Sequence, residues 1–323
     1  VILKKSIKKW LSIIIPLLLG FFFILYAYNT FSAQEIQQIK IYFQSADYLY
    51  IFFSVIFGFL GTYLRSFRWR YTLEQLNYKV AFKNQFFAVN VGYLMNMFIP
   101  RSGEISRALI LKNYNNVPFD KGFGTVIAER IIDLILLFAM IIFIFFVQFD
   151  LVKTFILDVI PKEKIIFISI IGFFVLFSLI ILFRYSKLKF ISLIISKLAG
   201  FKDGIFSILR MRRKWHFLFY TLLIWISYIM MLWIAIFAFP ETSTLSITGV
   251  LTTFVVGSIA ITFTNNGLGS YPFLVSQILI FYQISAPLGT AFGWVVWIVQ
   301  TILILFLGLI SLFLLPILNK NKG

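Results

Sequence analysis

Between Thr242 and Asn319 the chain carries no charged residue. A stretch of that length without charge has no place on a water-facing surface. It reads as lipid-embedded, where backbone N–H and C=O groups must be satisfied inside the protein. The whole chain agrees, with 61% hydrophobic residues and only 13% charged, against about 45 to 50% and about 25% in soluble domains. Runs of about 20 apolar residues recur and read as membrane-spanning helices. The expected fold class is therefore all-α: a polytopic membrane helical bundle of about six full spans plus two re-entrant or broken helical hairpins.

The charges set the topology. Lys4, Lys5, Lys8 and Lys9 precede an apolar run from Trp10 to Tyr28, read as a retained anchor because it is long and aromatic and no A-x-A cleavage site follows. A polar loop, Asn29 to Asp47, leads to a second span from about Tyr48 to Leu64, followed by Arg65, Arg68 and Arg70. The positive-inside rule puts that end in the cytoplasm. Phe123 to Phe149, Ile165 to Phe183, Trp215 to Phe239 and Leu288 to Leu315 are the remaining spans. From Arg184 to Lys214, nine Lys and Arg face one acid, Asp203, so that stretch is expected in the cytoplasm. Ile191, Ile194, Ile195 and Leu198 within it form an amphipathic stripe suited to the headgroup layer. Parity then requires Phe86 to Pro100 to enter from the cytoplasm and return.

The pair Ile247 to Phe263 and Tyr271 to Tyr282, broken by TNNGLGSYP, forms either a second hairpin from outside or a double crossing. The hairpin version gives an inverted repeat of hydropathy. In it every Lys and Arg except Lys40, Lys153, Lys162, Lys164 and the intramembrane Arg130 falls on the cytoplasmic side. The chain thus reads as one integral membrane domain over 1–323. Its first half is 1–150 with a hairpin near 86–110, its second half is 165–319 with a broken segment near 247–283, and a cytoplasmic linker spans 184–214.

Charges inside this apolar frame mark the candidate site. Arg101, Glu104 and Arg107 follow the break at Pro100, and Glu129, Arg130 and Asp133 lie within a span. A charge at a helix centre costs about 2.5 to 3.5 kcal/mol on insertion scales, so such groups persist when paired or facing a wet cavity, and usually act on something. Ser102 reads as the N-cap of the next helix, with Glu104 in its first turn. Arg101 with Glu104, and Glu104 with Arg107, are i, i+3 neighbours able to pair. Glu129 and Asp133 share a helix face, and Arg130 reaches Asp133. A closed salt-bridge network that only locks hairpin to helix is the competing reading. Zero Cys and one His argue against metal sites and a Ser/His/Asp triad, so no metal and no cofactor is expected. The net charge of +17 flanks apolar segments, which points to topology and anionic lipid and not to nucleic acid.

NMFIPRSGEISRALIL, followed by AERIIDLILLF, resembles the hallmark of the lysylphosphatidylglycerol synthase/flippase transmembrane-domain family. NNGLGSYP resembles that family's second motif, with Asn265 and Asn266 where Pro and Gly are common and Pro272 where a Glu is common. The resemblance implies a lipid-translocating domain with re-entrant helices. By position Asn96, Pro100, Arg101, Gly103, Glu104, Arg107, Glu129, Arg130 and Asp133 match the first motif, and Gly267 and Gly269 the second. The lipid-headgroup or transport site is expected to comprise these residues together with Asn265, Asn266 and Tyr271. Family members that make lysylphosphatidylglycerol carry a soluble transferase domain after the membrane part. The chain ends at Gly323, so the resemblance implies a flippase-like protein without it. No G-x-x-x-x-G-K-[ST] occurs, which argues against ATP-driven transport by this chain alone.

The favoured function is a membrane lipid translocase, not an enzyme, moving an anionic phospholipid or polyprenyl phosphate between leaflets. The alternatives are a membrane enzyme of lipid-linked headgroup or sugar transfer and a non-catalytic envelope-assembly subunit. Expected partners are membrane lipids, with a homo-oligomer or an envelope-assembly partner also compatible. The expected location is the cytoplasmic membrane, multi-pass, with both termini cytoplasmic.

Overall fold

The structure, a computed structural model, describes residues 2–150, 153, 208 and 210–320. Ten α-helices account for most of these residues, and no strand occurs among them. In chain order they are α1 (Ile2–Thr30), α2 (Ala33–Ser45), α3 (Tyr48–Gln75), α4 (Phe82–Phe98), α5 (Ser102–Asn115), α6 (Phe119–Val147), α7 (Lys214–Ala235), α8 (Ile247–Phe263), α9 (Ser270–Phe281) and α10 (Ala286–Ile317). The segments Tyr48–Gln75, Phe119–Val147, Lys214–Ala238 and Ala286–Ile317 are long and apolar enough to cross a bilayer. At 1.5 Å per residue each exceeds the roughly 30 Å hydrocarbon thickness. Their exposed faces are greasy: Phe52, Phe53 and Ile56 on α3, Phe138, Ile142 and Phe146 on α6, Ile302, Phe306 and Phe313 on α10. The chain is an all-α, multi-pass membrane bundle. The span expected at 165–183 and most of the linker expected at 184–214 lie outside the described residues.

Two sequence expectations are corrected. Residues 29–47, read as a polar loop, contain α2, which a capping box starts: the Ser32 hydroxyl accepts from the Glu35 backbone N–H while the Glu35 carboxylate accepts from Ser32 N at 2.8 Å. This helix bends back on the apolar end of α1 by 114°. Secondly, α3 does not end near Leu64 but continues to Gln75, which places Arg65 and Arg68 well inside it.

Glycines set how closely the helices pack. A Cβ at Gly61 of α3 would collide with the Tyr228 ring of α7, and one at Gly58 would sit 3.0 Å from Met231 Sδ. These helices run antiparallel, since Asp47 N donates to Ala238 O (2.9 Å) at one end and Arg213 bonds Glu74 (3.2 Å) at the other.

Between the long helices lie two helical hairpins, α4–α5 and α8–α9, and α10 serves as the spine for both. Its first half packs on α9, where Gly289 meets Ser276 and Gly293 meets Pro272. Its second half packs on α4, where Gly308 meets Leu94 and the Asn90 carbonyl. The base of α4 is tied to the far end of α10 by reciprocal amide bonds between Asn84 and Asn319, 3.0 and 2.9 Å. The hairpins therefore approach the middle of α10 from opposite ends. Their tips touch: Asn265 Nδ2 donates to Met97 O at 2.9 Å.

Candidate functional site

The first tip is built by its polar residues. Arg101 adopts a left-handed conformation (φ 63°) between α4 and α5. Ser102 is the first residue of α5, not its N-cap as expected, and its hydroxyl turns back to donate to Met95 O (2.8 Å) and Ile99 O (2.7 Å). Asn96 accepts from Gly103 N at 2.7 Å. These bonds satisfy backbone groups that a helix break in lipid would otherwise leave bare. Gly103 is required here, because a Cβ would fall on the Gly92 carbonyl; α4 and α5 touch backbone to backbone.

At the second tip Asn266, Gly267 and Gly269 all have positive φ. Thr264 and Ser270 share a hydroxyl contact of 2.7 Å, and Trp297 of α10 donates to Asn266 O at 2.8 Å. Tyr271 is buried against Gly257. A Cβ at Gly269 would overlap the Gly20 carbonyl of α1, so this turn is wedged between α1 and α10.

The charged side chains form one network across α3, α5 and α6. Asp133 accepts from Arg65 Nη1 at 2.8 Å and from Arg68 Nη1 at 2.7 Å. Glu129, fully buried, accepts from Arg107 Nη2 at 2.8 Å and stands 3.8 Å from Arg68 Nε. Arg68 also donates to Thr221 Oγ1 at 3.0 Å and lies over the Phe217 ring at 5.0 Å. The Arg107 guanidinium stacks over Trp69 at 4.0 Å, and Trp69 is itself held by a bond to Thr125 (2.9 Å). Arg65 and Glu129 lie ten residues from the helix ends at Gln75 and Phe119, about 15 Å in at 1.5 Å per residue.

One pair stands apart. Arg130 donates to Glu104 at 3.0 Å, with side chains 35% and 15% exposed, while the Arg65, Arg68, Arg107 and Glu129 side chains are at most 6% exposed. Among the described residues Glu104 Oε2 and Arg107 Nε have no hydrogen-bond partner, nor do Arg65 Nε, Arg68 Nε and Glu129 Oε1. Four arginines thus meet three carboxylates, leaving one positive charge in surplus. Arg101, exposed at the tip, adds another cation with no ion-pair partner among the described residues.

The pairing differs from the expected one. Glu104 does not pair with Arg101 or Arg107 but with Arg130, and Asp133 is held by Arg65 and Arg68 instead of Arg130. Arg65 and Arg68 were missed because they read as the flank of a shorter span. Their helical periodicity carried the signal, since 65, 68 and 72 fall on one face. The second-motif residues do not join the charges; Asn265 reaches the first motif only through the Met97 carbonyl. Among the described residues no group of three or more His, Asp or Glu side chains gathers as metal ligands.

The chain matches the family described as the lysylphosphatidylglycerol synthase TM region over residues 13–308. It belongs to that family. The chain is also 32% identical over 103 residues to the UPF0104 membrane protein MJ1595 of Methanocaldococcus jannaschii, covering 31% of the chain and 29% of that relative. The chain therefore matches less than a third of that relative's length. No solved structure matches it.

Proposed function

We propose that the protein is a lipid translocase in which the α4–α5 and α8–α9 hairpins are re-entrant, enter from opposite faces and form an inverted pair around the charge network. The observation that carries this is the half-open Glu104–Arg130 pair at the edge of a network with one arginine in surplus. An arriving lipid phosphate can take Arg130 from Glu104 without breaking the buried pairs, because guanidinium binds phosphate and carboxylate by the same two-pronged geometry. The substrate is an anionic phospholipid or a polyprenyl phosphate. Arg101 at the tip provides the first contact, and Asn96, Pro100 and Gly103 hold the turn that presents it. Asn265, Asn266, Gly267, Gly269 and Tyr271 shape the opposing tip. Transport is favoured over group transfer because every acid of the cluster is already engaged by a guanidinium. The protein sits in the cytoplasmic membrane with the Arg- and Lys-rich helix ends inward.

The test is purified protein in vesicles containing fluorescent phosphatidylglycerol, with dithionite reporting the exposed leaflet. Glu104→Gln and Arg130→Ala are expected to slow movement about tenfold, equivalent to 1.4 kcal/mol on the rate-limiting barrier. Rates equal to the parent's in both variants would sink the reading. One observation favours a second reading, a non-catalytic envelope-assembly subunit: most of the network is sealed and mutually paired. Stable co-purification with a partner, without lipid movement, would select it.

A further inference from the structure

The face of α3 opposite the charge network opens on a separate cavity. At about 100° per residue, Arg65, Arg68 and Thr72 share one side of the helix, while Phe59, Tyr63, Phe67, Arg70 and Glu74 fall on the other. There, between the end of α3 and the start of α4, lies a cavity of about 300 Å³ whose walls include Phe67, Arg70, Glu74, Lys79, Phe82 and Gln85. Its charges favour an anion. Glu74 is shared between Arg70 and Arg213, and Lys79, exposed, has no acidic partner among the described residues. Two cations, Arg70 and Lys79, and one acid line the cavity, and that acid is also bonded from outside the lining by Arg213. Gln85, 1% exposed, closes the inner wall and is held there by its Nε2, which donates to the Val80 carbonyl at 3.2 Å.

The cavity is continuous with a lipid-facing stripe. Tyr63 lies 4.9 Å from Phe82 and Phe67 lies 6.1 Å from it, ring to ring. Further along, Phe59 contacts Phe86 at 6.1 Å. Phe59 and Tyr63 are each 40% exposed. A polar, cationic pocket at a helix end that runs into an exposed aromatic strip has the two-part chemistry of a phospholipid, headgroup first and acyl chain after.

We infer that this cavity holds one anionic phospholipid of the leaflet at the basic end, its phosphate between Arg70 and Lys79 and an acyl chain along Phe59 and Tyr63. The site is on the far side of α3 from Glu104 and Arg130, so it stands whether or not the protein moves lipid.

The test is native mass spectrometry of the purified full chain titrated with phosphatidylglycerol or phosphatidylcholine. The parent is expected to retain phosphatidylglycerol preferentially. Lys79→Glu should reduce that preference by about fivefold or more, following roughly 1 kcal/mol for each basic residue near an anionic lipid. Lys121→Glu, on a different helix, should leave it unchanged. An unchanged preference in Lys79→Glu, or an equal loss in Lys121→Glu, would overturn the assignment. So would displacement of the lipid by millimolar glycerol phosphate, which would make the cavity a site for a free phosphate ester.

Discussion

Two carboxylates of the network, Asp133 and Glu104, should respond in opposite ways to loss of charge. Asp133→Asn leaves the guanidinium groups of Arg65 and Arg68, at most 6% exposed and 2.8 and 2.7 Å from the carboxylate, facing a neutral amide. Removing one partner of a buried ion pair costs about 3 to 5 kcal/mol, because the remaining charge stays desolvated. Glu104→Gln frees Arg130, whose side chain is 35% exposed and can be rehydrated; such a pair contributes about 0 to 1 kcal/mol. The two variants should therefore differ by about 2 kcal/mol or more, about 30-fold in the folding equilibrium. Titration of purified protein with SDS in mixed micelles, followed by tryptophan fluorescence, reads this directly, since Trp69 lies against Arg107. The order of transport effects should be the reverse among folded molecules, with Glu104→Gln the more impaired per folded protein. If Glu104→Gln unfolds as readily as Asp133→Asn, the division into a sealed lock and a working pair is wrong.

Other outcomes follow from the packing. Gly103→Ala should destabilise by about 1 to 3 kcal/mol, since overpacked sites cost that much and its Cβ falls on the Gly92 carbonyl. Gly124→Ala, with nothing within 4 Å of the added carbon, should instead stabilise α6 by up to about 1 kcal/mol; the same SDS titration compares them, and equal signs would contradict the geometry. With no native cysteine, cysteines at Met97 and Asn265 should be joined by a short bis-thiol reagent, and no cross-link would refute contact between the tips. Single cysteines at Lys79 and Gln38 should be labelled from opposite sides of intact cells by an impermeant maleimide; labelling from the same side would contradict the proposed orientation.

The helical class and the breaks at Pro100 and at Asn265 to Gly269 were legible because apolar length and Gly/Pro punctuation are local signals. Glu104, Arg107, Glu129, Arg130 and Asp133 were legible because charge in an apolar run is conspicuous in any register. Which acid meets which arginine was not. Spacing favours i, i+3 partners on one helix, whereas Arg107 and Glu129, or Arg68 and Asp133, are joined only once α3, α5 and α6 pack. Arg65 and Arg68 escaped notice for a related reason: an arginine after an apolar run signals a membrane edge, and α3 continues ten residues beyond Arg65. The helix α2 was hidden by its polarity, although Ser32 and Glu35 spell a capping box.

The attachment of the hairpins to α10 has a mechanical consequence. Both are fastened to that helix away from their tips, the first at its base through Asn84 and Asn319 and the second midway along α9 through Ser276 and Thr290 (3.0 Å). Nearer the middle, Gly293 and Gly308 offer smooth bearings that carry no charge. Two levers hung at opposite ends of one axle meet through an amide-to-carbonyl latch, and the second is pinned again where Trp297 holds Asn266, so parting the tips means releasing the latch while that pin holds or yields.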